Sequence, residues 1–183
     1  LIDYPGFNLN IAKKFKKLGM QVIYYISPQI WAWRQKRVKK IQKRIDKMLV
    51  VFPFEKDWYA ERNVDVEYVG HPLIESIGRY KFLEKENLFD KYSLDKSKEL
   101  LLILAGSRKQ EIEKIFPKVI DAAEKLSDKF NLQTVVACSQ NIDEEIFKKK
   151  SDYDFTVIKG KTYDLLKHSK FGIIKSGTST LEA

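Results

Sequence analysis

The sequence predicts an α/β fold made of two Rossmann-like α/β/α halves, each a parallel sheet wrapped by helices. Three observations carry that expectation. Short apolar runs dense in Val, Ile and Leu recur along the chain, as strands buried on both faces require. Between them lie longer stretches whose apolar residues repeat at helical spacing. The alternation is interrupted once, by the polar stretch 84–99, and then resumes.

In chain order, residues 20–26 read as a strand and 31–47 as a helix whose apolar stripe is Val38, Ile41 and Ile45. A strand at 48–52, a helix at 54–62, a strand at 66–69 and a helix from Pro72 to about Tyr80 complete the first half. Residues 84–99, rich in Lys, Asp, Glu and Asn, read as the crossing between domains. The second half has strands at 100–104, 132–137, 155–158 and 171–174. Helices at 109–127, 143–150 and 163–168 separate them, and another opens at the end. The expected organisation is a first domain at 1–83, a linker at 84–99 and a second domain at 100–183. Periodicity alone leaves flavodoxin-like and simple dinucleotide-binding folds open.

Composition narrows the function. The 183 residues, 44% hydrophobic, suit one globular domain or two small ones. The net charge of +9 is unevenly placed: between Lys13 and Lys47 stand twelve Lys or Arg and one acid, Asp46. Such a face suits phosphate ligands, an anionic membrane surface or nucleic acid, and a solvated lysine-rich surface is the plain alternative. No helix-turn-helix, RNP or zinc-ligand pattern accompanies it, which counts against a nucleic-acid-binding module. The single cysteine, Cys138, excludes an internal disulfide and sits in an apolar run that makes it a small core residue. No apolar run approaches the roughly 20 residues of a membrane span, so contact with a membrane would be superficial. The chain opens on Leu1-Ile2 without Met and stops at Glu182-Ala183 as a helix begins. Both ends look cut, and we expect an internal fragment.

The segment Ser27-Pro28-Gln29-Ile30-Trp31-Ala32-Trp33-Arg34-Gln35-Lys36-Arg37 serves neither a core nor a solvated surface well. Its tryptophans precede the apolar stripe, at an expected strand-to-helix junction, which is the ligand-facing edge of an open α/β fold. Aromatic surface beside positive charge suits a ligand that is partly apolar and partly anionic.

This run, with Pro53-Phe54-Glu55-Lys56 and Val69-Gly70-His71-Pro72, resembles the lipid-A-disaccharide synthase family in order and spacing. Ile2-Asp3-Tyr4-Pro5-Gly6-Phe7-Asn8, Gly106-Ser107-Arg108 and Ser176-Gly177-Thr178-Ser179-Thr180-Leu181-Glu182 agree as well. The Trp-Ala-Trp-Arg element is close to family-specific. The Ser-Gly-Thr…Glu element alone indicates a broader group of nucleotide-sugar enzymes, such as a muramyl-pathway N-acetylglucosaminyltransferase. The resemblance implies the GT-B architecture and an inverting, metal-independent hexosyltransferase that needs no cofactor. It implies a UDP-2,3-diacylglucosamine donor and a 2,3-diacylglucosamine 1-phosphate acceptor, handled at the cytoplasmic face of the inner membrane. It makes this chain about half of the enzyme, expected to be inactive alone, and it gives no oligomeric state.

Inverting transfer to a hydroxyl needs a base for the acceptor proton and positive charge for the departing diphosphate. The resemblance puts the base at Asp3; on its residues alone, Asp before Pro-Gly is a turn former. Many relatives carry a second Asp where this chain has Gly6, which concentrates the role on Asp3 or leaves a differently tuned site. Arg108, at a strand-to-helix turn with Ser107, can fork onto diphosphate oxygens or pair with Glu111, and both can hold together. The family usually has Pro where this chain has Ala105. Ser176, Gly177 and Thr178 precede a helix and suit either a phosphate or an N-cap. Glu182, one turn on, can reach a ribose hydroxyl or serve as a first-turn acid. Trp31, Trp33, Arg34 and Arg37 form the acceptor or lipid side. His71 admits a ligand or a conformational role, and His168 reads as a helix C-terminal residue. Asp152 and Asp154 read as a solvated loop, and no metal site is expected.

Overall fold

The computed structural model describes residues 1–148, 152–177 and 179–183. The chain folds into two compact units, Leu1–Gly78 and Arg79–Ala183.

In the first unit, strands β1 (Ile23–Tyr25), β2 (Lys47–Val50) and β3 (Val66–Tyr68) form a parallel sheet in the order β1-β2-β3. Ile2 extends it by a parallel bridge to Tyr25 on the far side of β1. The helices are α1 (Pro5–Lys17), α2 (Val38–Arg44), α3 (Pro53–Ala60) and α4 (Pro72–Arg79). Leu9, Tyr24, Ile30, Ile41, Met48, Val50, Tyr59 and Val66 close the core. Proline at the first position of α1, α3 and α4 costs nothing there, since its missing N–H would have no intrahelical partner.

One expectation is corrected here. The helix expected at 31–47 is only Val38–Arg44, entered through a 3₁₀ turn at Gln35–Arg37. Arg34 takes a left-handed φ of 58°, and Ile45 is extended because Asp46 turns back to accept the Val22 N–H at 2.7 Å. The tryptophans thus lie in an irregular turn rather than at a helix start. Asp3-Tyr4-Pro5-Gly6 leads directly into α1, whose buried residues Asn8, Leu9 and Ala12 mark its inner face.

The second unit has strands β4 (Glu99–Leu104), β5 (Leu132–Cys138), β6 (Thr156–Lys159) and β7 (Phe171–Ile174), all parallel, in the order β6-β5-β4-β7. Its helices are α5 (Lys85–Lys91), α6 (Lys109–Phe130), α7 (Glu145–Lys148), α8 (Thr162–His168) and α9 (Ser179–Glu182). Central strand β4 shows why the unit has three layers. Leu101 and Ile103 face Ile112, Phe116, Ile120 and Ala123 of α6, whereas Leu100, Leu102 and Leu104 face Leu88 and Phe89 of α5 and Leu165 of α8. Alternate side chains of a strand point to opposite faces, so a continuous apolar run requires cover on both.

That packing overturns the reading of 84–99 as a linker. Leu88, Phe89 and Leu94 are buried in the second unit's core, and the division of the chain falls earlier, between Gly78 and Arg79. The stretch looked like a crossing because its few apolar residues are outnumbered by charges that stay on the solvent face. Cys138 is buried as expected, and burial pushes its thiol pKa upward, which disfavours the reactive thiolate.

Candidate functional site

The order β6-β5-β4-β7 places a topological switch beside β4: the chain leaves it toward β5 on one side and returns at β7 on the other. Loops leaving the carboxyl ends of such strands diverge and open a crevice. A cavity of about 440 Å³ lies there, lined among others by Leu104, Gly106, Ser107, Tyr163, Ser179 and Glu182.

Gly106 is required at this turn. It has φ 120°, and a Cβ on it would stand 2.7 Å from Oε2 of Glu111. The Glu111 carboxylate also joins two cations through one oxygen: Arg108 Nη1 lies 3.2 Å and Lys175 Nζ 3.0 Å from Oε1. Lys175, then Arg108, hold the Glu111 pKa below the usual carboxylate range. The predicted Arg108–Glu111 pair is therefore present. Arg108 itself stands outside the cavity lining, with 80% of its side chain exposed. Ser176 and Gly177 follow β7 into a turn closed by Thr180, whose N–H and hydroxyl both donate to the Gly177 carbonyl. Thr178, assigned with them, lies outside the described residues. Glu182 accepts a 3.2 Å hydrogen bond from the Tyr163 hydroxyl.

Sequence reasoning missed Lys175, Tyr80 and Tyr163. Lys175 had a signal, a cation between an apolar strand and the Ser-Gly pair. Tyr80 had none, because its cavity neighbours Tyr163 and Glu182 lie far along the chain.

The carboxyl edge of the first unit's sheet is aromatic. Trp31 meets Phe54 edge-on at 5.0 Å, Phe54 stacks on Phe52 at 5.6 Å, and Phe52 packs against His71 at 5.3 Å. Trp33 is 56% exposed, with the guanidinium groups of Arg34 and Arg37 at 5.0 Å and 6.0 Å from its ring centroid. Asp3, Tyr4 and Ile26, which follow strand ends at this edge, and Arg34 in the tryptophan turn have positive φ. For Ile26, a β-branched residue at φ 61°, that is real strain, of the kind concentrated at functional sites. His71 Nδ1 accepts the Leu73 N–H at 3.2 Å in the first turn of α4. Asp152 and Asp154 are exposed loop residues.

Glu55, part of the Pro-Phe-Glu-Lys motif, is 1% exposed and ties this edge together. Its carboxyl group accepts from the Ser27 hydroxyl after β1 and from Val51 N–H and Phe52 N–H after β2, the last two at 3.2 Å and 3.1 Å. Glu55→Ala would strand three donors, two of them buried. We expect a loss of about 2–4 kcal/mol in urea denaturation of this unit; an unchanged midpoint would show that water replaces the carboxyl group.

The family profile described as lipid-A-disaccharide synthetase matches residues 1–183, the whole chain. The chain belongs to the lipid-A-disaccharide synthase family. It is 38% identical over 186 residues to the lipid-A-disaccharide synthase of Trichlorobacter lovleyi and 41% identical over 187 residues to lipid-A-disaccharide synthase 1 of Legionella pneumophila. To the Myxococcus xanthus lipid-A-disaccharide synthase it is 39% identical over 188 residues. Each alignment covers 100% of this chain and 48% of the relative, so the chain spans about half the length of the curated relatives it matches. The parallel α/β units are Rossmann-like, as in the GT-B architecture. Gly106, Ser107 and Glu182 line the cavity at the switch point, and Arg108 stands beside it.

Proposed function

We propose that the full-length protein transfers 2,3-diacylglucosamine from UDP to 2,3-diacylglucosamine 1-phosphate, giving the β-1,6-linked disaccharide 1-phosphate and UDP. The observation that carries this reading is the cavity at the β4–β7 switch, with a glycine turn and two cations at one side and Glu182 in its lining. The acceptor's 6-hydroxyl oxygen forms a bond to the anomeric carbon as the bond from that carbon to the diphosphate oxygen breaks. The hydroxyl proton passes to the Asp3 carboxylate, and the electron pair leaves with UDP. Arg108 compensates the charge that develops on the diphosphate. Ser107, Ser176, Gly177 and Thr178 offer hydrogen bonds to phosphate oxygens, and Glu182 accepts from a ribose hydroxyl. Those roles need no metal, so chelator is expected to leave activity intact.

Titration of the full-length protein with UDP tests the donor site. Binding should persist from low to physiological salt, whereas attraction of generic RNA to the basic face should collapse as counterions compete. Absence of UDP binding would refute the assignment.

Among the described residues no helix is long and apolar enough to cross a membrane. The first unit exposes Tyr4 and Phe7, and it exposes Trp33 beneath the Arg34 and Arg37 guanidinium groups; aromatic surface with positive charge suits the surface of an anionic bilayer on the cytoplasmic side. Trp33→Ala is expected to reduce sedimentation with phosphatidylglycerol vesicles several-fold; an unchanged fraction would remove Trp33 from membrane contact.

A further inference from the structure

One wall of the cavity has no part in the transfer chemistry. Tyr80, which follows α4, contributes to the lining together with Tyr163 of α8. The two rings meet edge-on at 5.1 Å, and Phe82 supports Tyr80 at 5.1 Å from another side. The Tyr80 hydroxyl donates to Oδ2 of Asp164 at 2.6 Å. Asp164 is 0% exposed, and its Oδ1 accepts the Leu83 N–H at 2.7 Å. At the other end of α8, His168 Nε2 lies 2.7 Å from the Leu83 carbonyl oxygen. The segment 80–83 is thus strapped to α8 at both of its ends. Tyr163 in turn donates to Glu182, so two aromatic rings and a carboxylate form one connected wall.

Simple packing does not explain this arrangement. A phenylalanine would fill the same space without a buried carboxylate, which is costly unless its hydrogen bonds are needed. The hydroxyls remain donors throughout the physiological range: burial, then the bond to Asp164, pushes Tyr80 up to about 12, and burial chiefly raises Tyr163. Away from the glycine turn the lining includes Ala137, Ser139, Gln140, Gly160, Thr162 and the two tyrosines; Lys161 stands outside it, paired with Oδ2 of Asp164 at 3.5 Å and 6.0 Å from the Tyr80 ring centroid. That composition accepts a flat, uncharged, hydrogen-bonding ring.

We propose that Tyr80 and Tyr163 are the wall against which the nucleotide's pyrimidine base packs, and that Asp164 is the positioning residue that fixes Tyr80 in place. This rests on the reading of the cavity as the donor site. Aromatic surfaces recognise bases through their π-faces, and losing such a contact weakens binding by about tenfold or more.

Calorimetric titration of the full-length protein with UDP and, separately, with inorganic pyrophosphate tests the proposal. Tyr80→Ala is expected to weaken UDP at least tenfold and pyrophosphate less than twofold. Tyr163→Leu, at a half-buried position, should give the same split if the alanine variant does not fold. Asp164→Asn should raise the donor KM by more than it lowers kcat. In a double-mutant cycle with Tyr80→Phe, its effect should shrink, because the hydroxyl it anchors is gone. Failure of the unaltered protein to bind UDP would overturn the donor reading and this wall with it. UDP binding in the unaltered protein with no change in Tyr80→Ala, or equal losses for UDP and pyrophosphate, would overturn the wall alone.

Discussion

Replacing Arg108 by alanine in the full-length protein is expected to lower kcat by about 10²–10³-fold while changing the donor KM much less. The expectation follows from where the guanidinium stands. It sits at the turn that ends β4, beside the cavity but outside its lining, held by an exposed hydrogen bond to Glu111. Such a solvent-exposed pair is easily opened, so Arg108 is free to follow charge as it moves onto the leaving diphosphate. Lys175 competes for the same Glu111 oxygen, which keeps that carboxylate satisfied when Arg108 swings away. Arg108→Lys should recover only part of the loss, because an ammonium keeps the charge but not the planar fork. Turnover by Arg108→Ala within about threefold of the unaltered protein, at saturating substrate, would make Arg108 a structural partner of Glu111 and nothing more.

The parts of this molecule that were legible beforehand are those whose signal is local. Leu100 to Leu104 form an unbroken apolar run, and α6 repeats its buried residues at Ile112, Phe116, Ile120 and Ala123, so strand and helix follow from spacing. The cavity residues Ser107 and Glu182 were accessible because each stands at a fixed offset from a strand end. Where the signal is tertiary, the reading failed. Helix α5 buries only Leu88 and Phe89 from a highly charged segment, and nothing local shows that β4 needs cover on that face. Tyr80 and Asp164 are 84 positions apart and meet only once α8 lies over the sheet. The tryptophan turn reads as helix from sequence because the basic residues that follow it are good helix formers. The left-handed Arg34 and the return of Asp46 to Val22 N–H decide otherwise.

Asp3→Asn is expected to abolish sugar transfer nearly completely, lowering kcat by about 10²–10⁴-fold, while UDP binding stays within about twofold. The structure makes this substitution unusually clean. Asp3 has a left-handed φ of 42°, fixed by its neighbours: its N–H donates to the Tyr25 carbonyl at 3.1 Å, and its own carbonyl accepts from Asn8 Nδ2 at 2.6 Å and from the Tyr24 hydroxyl. Asparagine tolerates that conformation as well as aspartate does, so the backbone should not move, whereas alanine would add strain. Tyr24 remains a donor, since burial and then the charge of Asp3 push its hydroxyl up to about 12. The exchange thus removes proton-accepting capacity and little else. Gly6 sharpens the test, because it leaves no second aspartate three residues on to take over. An Asp3→Asn protein that binds UDP and turns over normally would take Asp3 out of the mechanism. One that loses UDP binding as well would show that Asp3 acts by holding the fold, since the donor cavity is lined wholly by the second unit.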